Sequence, residues 1–166
     1  RSGLGVTVFR PSYIFGPGEE FLSPLVRRIV RGGTVEIPGD GEYRLQPISV
    51  RDAARAALGA LDSQDASPRV VDLVGPEALS YRALVGRIAS RAGRAVEIRE
   101  RPVDEALAQA RDSGYFGLRP HDLACLLCDE ISDASATQSL VGGSLETLDT
   151  MIAEAIEADR LSGTRE

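Results

Sequence analysis

A short apolar run followed by a turn rich in proline and glycine constrains the fold of this chain more than any other feature. Residues 4 to 9 read LGVTVF, and residues 10 to 21 read RPSYIFGPGEEF, with two prolines and two glycines. A β-branched run that is apolar on both faces is typical of a strand in a parallel sheet that helices cover on both sides. The pattern therefore predicts a buried strand over 4–9 and a strand-to-helix turn after it.

The later segments alternate between strand and helix patterns, which favours an α/β fold. Apolar spacing and breakers predict strands over 34–37, 70–74 and 95–98, an extended segment over 43–50, and helices over 22–30, 50–61, 81–92, 103–110, 120–128 and 148–156. Ser80 and Ser144 are expected to cap two of these helices. The helix over 50–61 is amphipathic, with an apolar face that includes Val50, Leu58 and Leu61.

Composition and charge exclude several classes of partner. The chain has 166 residues with 19 basic and 25 acidic side chains, a net charge of -6, and no separate basic cluster, which argues against nucleic-acid binding. No apolar run approaches the ~20 residues of a membrane span. The two cysteines are too few for a disulfide framework, so we expect a reducing, cytoplasmic setting.

Three segments carry a family resemblance. GVTVFRPSYIFGPG, IPGDGEYRLQPISVRDAARAAL and VVDLVGPEALSYRALVGRIASRAGR occur in this order over about residues 3 to 100. They resemble the later part of the extended and atypical short-chain dehydrogenases/reductases, the superfamily of NAD-dependent nucleotide-sugar epimerases and dehydratases. The resemblance implies the C-terminal, substrate-side portion of a Rossmann-type fold, without its dinucleotide-binding half.

One departure from the sugar-nucleotide enzymes favours a particular branch. Those enzymes usually carry an Arg-Asp pair whose arginine grips a substrate phosphate, and here Leu45 and Gln46 stand in its place. Arg44 lies one residue away, on the opposite face of an extended strand. The sequence LQPISV resembles the atypical reductases related to the nucleotide-binding accessory subunit of respiratory complex I.

Two hallmarks of the family do not occur in this sequence. There is no glycine-rich turn after a strand to meet a pyrophosphate, and the absence of lysine excludes the usual Tyr-x-x-x-Lys pair. We therefore expect residues 1–160 to be one substrate-side domain, with 1–18 the last part of the Rossmann sheet and active-site loop and 161–166 a frayed tail. We expect no catalytic residue here, and NAD or NADP to bind only the full-length parent.

The resemblance also assigns site residues. It implies that Pro11, Ser12 and Tyr13 contact the cofactor and that a small-molecule substrate is bound by Phe15, Gly16, Arg44, Gln46, Pro47 and Ile48. Binding residues favour loops at the carboxyl ends of sheet strands, which fits the first group. The alternatives are a purely structural turn and, around Pro47, an edge strand that tolerates proline.

Cys125, Cys128 and His121 could share one helical face as part of a metal or redox site. A structural zinc needs four ligands, and the two leucines between the thiols predict a buried helix in which the cysteines pack in the core. We therefore expect no metal. A serine hydrolase is not expected, because no G-x-S-x-G elbow occurs.

Two functions remain open from the sequence. The first is a portion of an NAD(P)-dependent atypical reductase or epimerase-like protein that supplies the substrate pocket and is inactive alone. The second is a self-contained binding or assembly domain without catalysis. If the strand over 4–9 lacks its sheet neighbours, its exposed face is expected to drive self-association.

Overall fold

A computed structural model describes residues 5–17, 19–62, 69–115 and 118–163. Within these ranges the chain is an α/β protein, as the sequence predicts. The strands are β1 (Thr7–Pro11), β2 (Ile14–Phe15), β3 (Val35–Pro38), β4 (Arg44–Leu45), β5 (Ile48–Ser49), β6 (Arg69–Leu73), β7 (Leu79–Ser80) and β8 (Ile98–Arg101). The helices are α1 (Leu22–Val30), α2 (Val50–Leu61), α3 (Tyr81–Ala92), α4 (Val103–Asp112), α5 (Pro120–Leu126), α6 (Ser135–Val141) and α7 (Leu148–Gly163).

The strands pair two by two. Three pairs are parallel, β1 with β6, β2 with β5, and β3 with β8, whereas β4 and β7 are antiparallel. The parallel pairs join segments far apart in sequence, so helices must cross between them. No helix of the described ranges is long and apolar enough to cross a membrane.

The strand predicted over 4–9 lies two to three residues later and is not buried on both faces. Phe9 pairs with Val71 and packs toward a core, whereas Val8 pairs with Val70 and both valines are about half exposed, at 49% and 59%. Within the described residues β6 alone pairs with β1, and helices cover one face only. The prediction of burial on both faces is therefore wrong for this chain.

Helix α1 confirms the apolar stripe predicted over 22–30, and its first turn is capped in an unpredicted way. The carboxylate of Glu19 accepts hydrogen bonds from the backbone N–H groups of Phe21, Leu22 and Ser23 at 2.6, 2.8 and 2.5 Å. A negative charge at a helix N-terminus also complements the helix dipole. Glu19 thus fixes the angle at which the chain leaves the turn after β2.

Helix α2 occupies the predicted residues but turns the predicted apolar face outward. Val50, Leu58 and Leu61 are 43%, 61% and 81% exposed, whereas Ala56 is fully buried. The helix packs against α6 through its small residues: at Gly59 an added methyl group would lie 3.0 Å from the Leu140 carbonyl carbon. Close approach of the two backbones favours small side chains, so the larger apolar residues face solvent.

The predicted caps have different outcomes. The Ser80 hydroxyl accepts from the N–H of Ala83 at 3.2 Å, which confirms the cap of α3. Ser144 does not cap the last helix. Helix α7 begins four residues later, and Thr147 accepts from the N–H of Thr150 at 3.2 Å.

Other elements also differ from the prediction. The strand predicted over 95–98 lies at Ile98–Arg101 because its partner is β3, and helix α6 was not predicted. Helix α7 extends to Gly163, into the expected tail, and residues 1–4, 18 and 164–166 lie outside the described ranges.

The apolar side chains form two clusters. The larger joins α1, α3 and α7 with β3 and includes Val26, Ile29, Ile37, Leu84, Ile88 and Ile152. The smaller contains Ile48, Ala56, Leu73 and Val141, between the parallel strands, α2 and α6. The segment that leaves β1 passes from the second cluster to the first, and it is there that a cleft opens.

Candidate functional site

A cleft of about 300 Å³ lies at the carboxyl ends of the parallel strands β1 and β6. Ligands of α/β proteins commonly bind outside the carboxyl ends of the strands. The cleft is lined by Arg10, Pro11, Ser12, Asp72, Val74, Asp129, Glu130, Ile131 and Ser132. Two of the three residues predicted to contact a cofactor, Pro11 and Ser12, therefore share this cleft.

Ser12 joins the segment predicted to contact the cofactor, 11–13, to the segment predicted to contact the substrate, 46–48; these are the two walls of the site. Its backbone N–H donates to the Leu73 carbonyl at 3.1 Å, and its hydroxyl oxygen accepts from the Gln46 N–H at 3.3 Å. The Ile48 N–H donates to the Tyr13 carbonyl at 2.9 Å, after which β2 and β5 run parallel. The segments 11–13 and 46–48, predicted separately as cofactor-side and substrate-side residues, are thus neighbours in space.

Gln46 is 5% exposed, and both ends of its amide are engaged. Its Nε2 donates to the Gly75 carbonyl at 2.8 Å, and its Oε1 accepts from the Ser132 N–H at 3.0 Å. A buried amide whose donor and acceptor are both satisfied holds its surroundings in register. Gln46 therefore fastens the loop after β6 and the segment around Ser132 to the same wall.

The segment 129–132 closes the far side of the cleft. The Asp129 carboxylate accepts from the Arg44 N–H at 2.8 Å and from its guanidinium at 2.6 and 3.0 Å, while the Glu130 N–H donates to the Arg44 carbonyl at 2.8 Å. The Ser132 hydroxyl donates to Asp72 at 2.9 Å. Both ends of the segment are thereby held by backbone and side-chain contacts.

The carboxyl groups of the cleft have different electrostatic surroundings. Hydrogen bonding from Ser132 and then Arg10 lowers the pKa of Asp72, and hydrogen bonding from Arg44 lowers the pKa of Asp129. Glu130 has no such partner among the described residues, and burial raises its pKa. The first two are stabilised as carboxylates, whereas Glu130 is the most readily protonated of the three.

Tyr13 lies beside the cleft, with its ring against Phe21 at a centroid distance of 4.5 Å. Burial, followed by the nearby charge of Glu130, raises the pKa of the Tyr13 phenol. The phenol therefore stays protonated through the neutral range and can donate a hydrogen bond. It is half-buried, in a row of rings that continues to Tyr81 and Tyr43.

The remaining predicted substrate residues lie elsewhere. Arg44 is engaged by Asp129, and Pro47 is buried with its carbonyl against Gly75. Phe15 and Ile48 are 1% and 0% exposed in the two cores, and Gly16 packs against Val50, where a methyl group would lie 2.9 Å from the valine Cβ. Their substrate-binding roles stay predictions.

A second, more apolar cavity of about 250 Å³ lies between α1, β3 and the start of α3. Its lining combines aromatic and aliphatic side chains with charged groups and includes Phe21, Leu25, Tyr81, Tyr115, Leu126, Arg28 and Glu36. Phe21 separates it from Tyr13. Mostly apolar cavities with a few polar groups are typical small-molecule sites.

The cysteines do not pack in the core as expected. Cys125 is half-buried and Cys128 is exposed, because Leu123 and Leu126 form the inner face of α5 instead. The Cys125 sulfur lies 3.8 Å from His121 Nε2. Over the described ranges, no three His, Cys, Asp or Glu side chains are grouped so as to hold a metal ion.

Sequence reasoning missed the cleft residues that follow α5. Asp129, Glu130 and Ser132 come 85 or more residues after Ser12 and Arg44, with no motif of their own. A run of acidic residues after a helix reads as a solvated loop. Only the pairing of this segment with β4 and Gln46 brings it to the site.

The comparisons with known proteins agree with this architecture. Residues 1–74 match the model of the NAD dependent epimerase/dehydratase family. No curated protein matches the chain in sequence.

Solved structures with a similar fold include UDP-glucuronic acid 4-epimerase from Bacillus cereus, in complex with UDP-glucuronic acid and NAD (13% identity, TM-score 0.69, covering 95% of this chain and 46% of that one). MoeE5 in complex with UDP-glucuronic acid and NAD shares 25% identity at a TM-score of 0.70, over 96% of this chain and 48% of the other. RMD from Pseudomonas aeruginosa, complexed with NADPH, shares 18% identity at a TM-score of 0.68, over 96% and 49%.

The chain thus spans about half the length of these solved structures, and nearly all of it superimposes on them. Three observations indicate the same type of fold: the parallel strand pairs, the cleft at their carboxyl ends and the family match over residues 1–74. The chain has the α/β fold of part of a Rossmann-type short-chain dehydrogenase/reductase, with the nucleotide-sugar epimerases among its structural neighbours.

Proposed function

We propose that this chain is the substrate-side part of an NAD(P)-dependent reductase or epimerase-like protein. In that protein the segment 11–13 forms the nicotinamide side of the site, and the segment 46–48 backs the substrate side. The observation that carries the proposal is the junction at Ser12, whose hydroxyl oxygen accepts from the Gln46 N–H at the carboxyl end of β1. It joins both walls at the position where α/β proteins bind ligands.

The residues of this wall fit a nicotinamide carboxamide. Ser12 is 8% exposed and lines the cleft, and within the described ranges its hydroxyl proton has no acceptor, so it can donate to an amide oxygen. Pro11 offers an apolar ring surface beside it. The bound cofactor would supply the hydride chemistry, and the residues of this chain would orient its ring and shape the space for the substrate.

Tyr13 and Gln46 serve this site in different ways. The protonated phenol of Tyr13 can donate a hydrogen bond to a polar group that enters the cleft. Gln46, with both amide ends engaged, keeps the wall in place rather than offering a free donor. The chain contains no lysine, so its residues bind and orient, and proton transfer by a Tyr-Lys pair belongs to a preceding dinucleotide-binding half.

We place the parent in the branch of atypical reductases related to the complex I accessory subunit. Leu45 is 1% exposed in the core, and Arg44 is bound by Asp129, so neither offers a free cation to a substrate phosphate. A reductase that acts on an unphosphorylated substrate needs no such cation.

A binding or assembly domain without catalysis is the alternative. The half-exposed valines of β1 and β6 favour it, because an open apolar sheet face is suited to contact with another protein.

Calorimetric titration tests the proposal and separates the two functions. The isolated chain is expected to bind NAD(H) and NADP(H) negligibly, whereas a longer protein that carries this chain after a glycine-rich dinucleotide-binding half is expected to bind one of them. A dissociation constant in the micromolar range for the isolated chain would contradict the proposal. Failure of the longer protein to bind either cofactor would favour the assembly domain.

A further inference from the structure

Two side chains of the segment 129–132 are left open by the contacts that fix its ends. Asp129 is engaged by Arg44, and Ser132 is held by Gln46 and Asp72. The backbone of Glu130 is fixed as well, through a bridge to β4. The side chains of Glu130 and Ile131 are the two that remain without a polar partner in the described ranges, and both line the cleft. A rigid backbone thus presents them to whatever enters.

Glu130 differs from the other carboxylates of the cleft. It is half-buried, yet no described side chain or N–H group donates to its carboxylate. Burial of a carboxylate without a donor is unfavourable, and a ligand that donates hydrogen bonds would remove the cost. The Ser12 hydroxyl lines the same cleft and can donate to the same ligand.

The charge of the cleft argues against phosphorylated ligands. Among the described residues Arg10 is the cation that lines the cleft, and Asp72 neutralises it at 2.8 Å; Arg44, outside the lining, is bound by the cleft residue Asp129 at 2.6 Å. Glu130 then adds one uncompensated negative charge. Recognition of a phosphate or diphosphate relies on free arginine or lysine groups or on a helix N-terminus, so these surroundings repel such a group.

From these observations we infer that Glu130 determines the substrate class of the proposed site. The cleft binds a neutral compound that donates hydroxyl hydrogen bonds to the Glu130 carboxylate, and it discriminates against compounds that carry a phosphate or nucleoside diphosphate. Ile131, 37% exposed, supplies an apolar surface for the carbon skeleton of the same ligand. The inference rests on the proposed function, because it takes this cleft to be the substrate side.

A matched pair of probes tests the inference by amide NMR on the full chain. Methyl α-glucopyranoside offers hydroxyl donors without charge, and UDP-glucose offers similar hydroxyl groups on a nucleoside diphosphate. The neutral glucoside is expected to shift the amide signals of Ser12, Glu130 and Ile131. UDP-glucose is expected to bind more weakly through these amides.

Three variants complete the test. Glu130→Gln removes the charge and is expected to weaken glucoside binding about fivefold, whereas Glu157→Gln, on the exposed face of α7, is expected to leave it unchanged. Asp129→Asn frees Arg44 and is expected to increase the affinity for UDP-glucose. Thermal unfolding of each variant verifies that it is folded.

Four outcomes would overturn the inference. They are binding of UDP-glucose to the unmodified chain that is as tight as that of the glucoside or tighter, no signal change with either probe, an unchanged affinity in Glu130→Gln, or no gain in Asp129→Asn. The assay contains no nicotinamide cofactor and measures no turnover. A failure here therefore leaves the cofactor titrations untouched, and a failure of those titrations leaves this result standing.

Discussion

Substitution of Gly75 by alanine is expected to break the wall of the cleft. Gly75 is buried after β6, and a methyl group there would lie 2.7 Å from the Pro47 carbonyl carbon and still nearer its oxygen. The backbone of Pro47 would have to move away. That movement would also strain the two hydrogen bonds between Gly75 and Gln46, one from the Gly75 N–H at 3.1 Å and one to its carbonyl at 2.8 Å.

The expected loss of folding free energy follows from these contacts. Overpacking of a tight site costs about 1–3 kcal/mol, and each lost hydrogen bond about 1 kcal/mol, so we expect roughly 3–5 kcal/mol in total. A domain is stable by only about 5–15 kcal/mol, so the loss is a large fraction of that value. For a chain of this size it lowers the Tm by roughly 10 °C.

Gly86→Ala provides the matched control for urea and thermal unfolding. Gly86 is exposed within α3, and an added methyl group there would meet nothing within 4 Å. Alanine is a better helix former, so this variant is expected to gain about 0.5–1 kcal/mol. If the free energy of unfolding of Gly75→Ala lies within about 1 kcal/mol of that of the unmodified chain, the argument that close backbone contact holds this wall is refuted.

Three further predictions concern the scaffold. The isolated chain is expected to self-associate through the exposed face of β1 and β6, and Val8→Glu to reduce this association in sedimentation velocity; a monomer at all concentrations, with a protected Val8 amide, would contradict it. Glu19→Ala is expected to cost about 1 kcal/mol in urea unfolding, since three N–H groups of α1 lose their acceptor. Folding lowers the pKa of Asp72, so this carboxylate stabilises the fold above its unfolded pKa of about 4, and the stabilisation is lost as the pH falls below that value. Asp72→Asn is expected to reduce this loss of stability in acid. A dependence of stability on pH that the substitution leaves unchanged would argue against it.

Sequence patterns correctly predicted the elements that depend on residues close together along the chain. The apolar stripe of α1 and the Ser80 cap depend on residues only a few positions apart along the chain. The resemblance brought Ser12 and Gln46 into consideration. Their junction required the pairing of β2 with β5.

The features that sequence patterns predicted wrongly or missed depend on tertiary packing. The outward face of α2 follows from its close packing against α6, a helix that the sequence did not reveal. Glu130 becomes a candidate only once the segment around it pairs with β4. Periodicity cannot report such contacts, because they join residues far apart along the chain: Gly59 and Leu140 are 81 positions apart, and Leu45 and Glu130 are 85 positions apart.

The central claim is that Ser12 lies against the nicotinamide in the longer protein. The most direct test is the dissociation constant for NAD(H) or NADP(H) of that protein with Ser12→Leu and, as the control, Ser12→Ala. A close wall has no room for leucine, so we predict that Ser12→Leu weakens cofactor binding at least about tenfold, roughly 1.4 kcal/mol, while Ser12→Ala loses one hydrogen bond and weakens it only a few fold. Unchanged cofactor affinity in a folded Ser12→Leu protein would contradict the account.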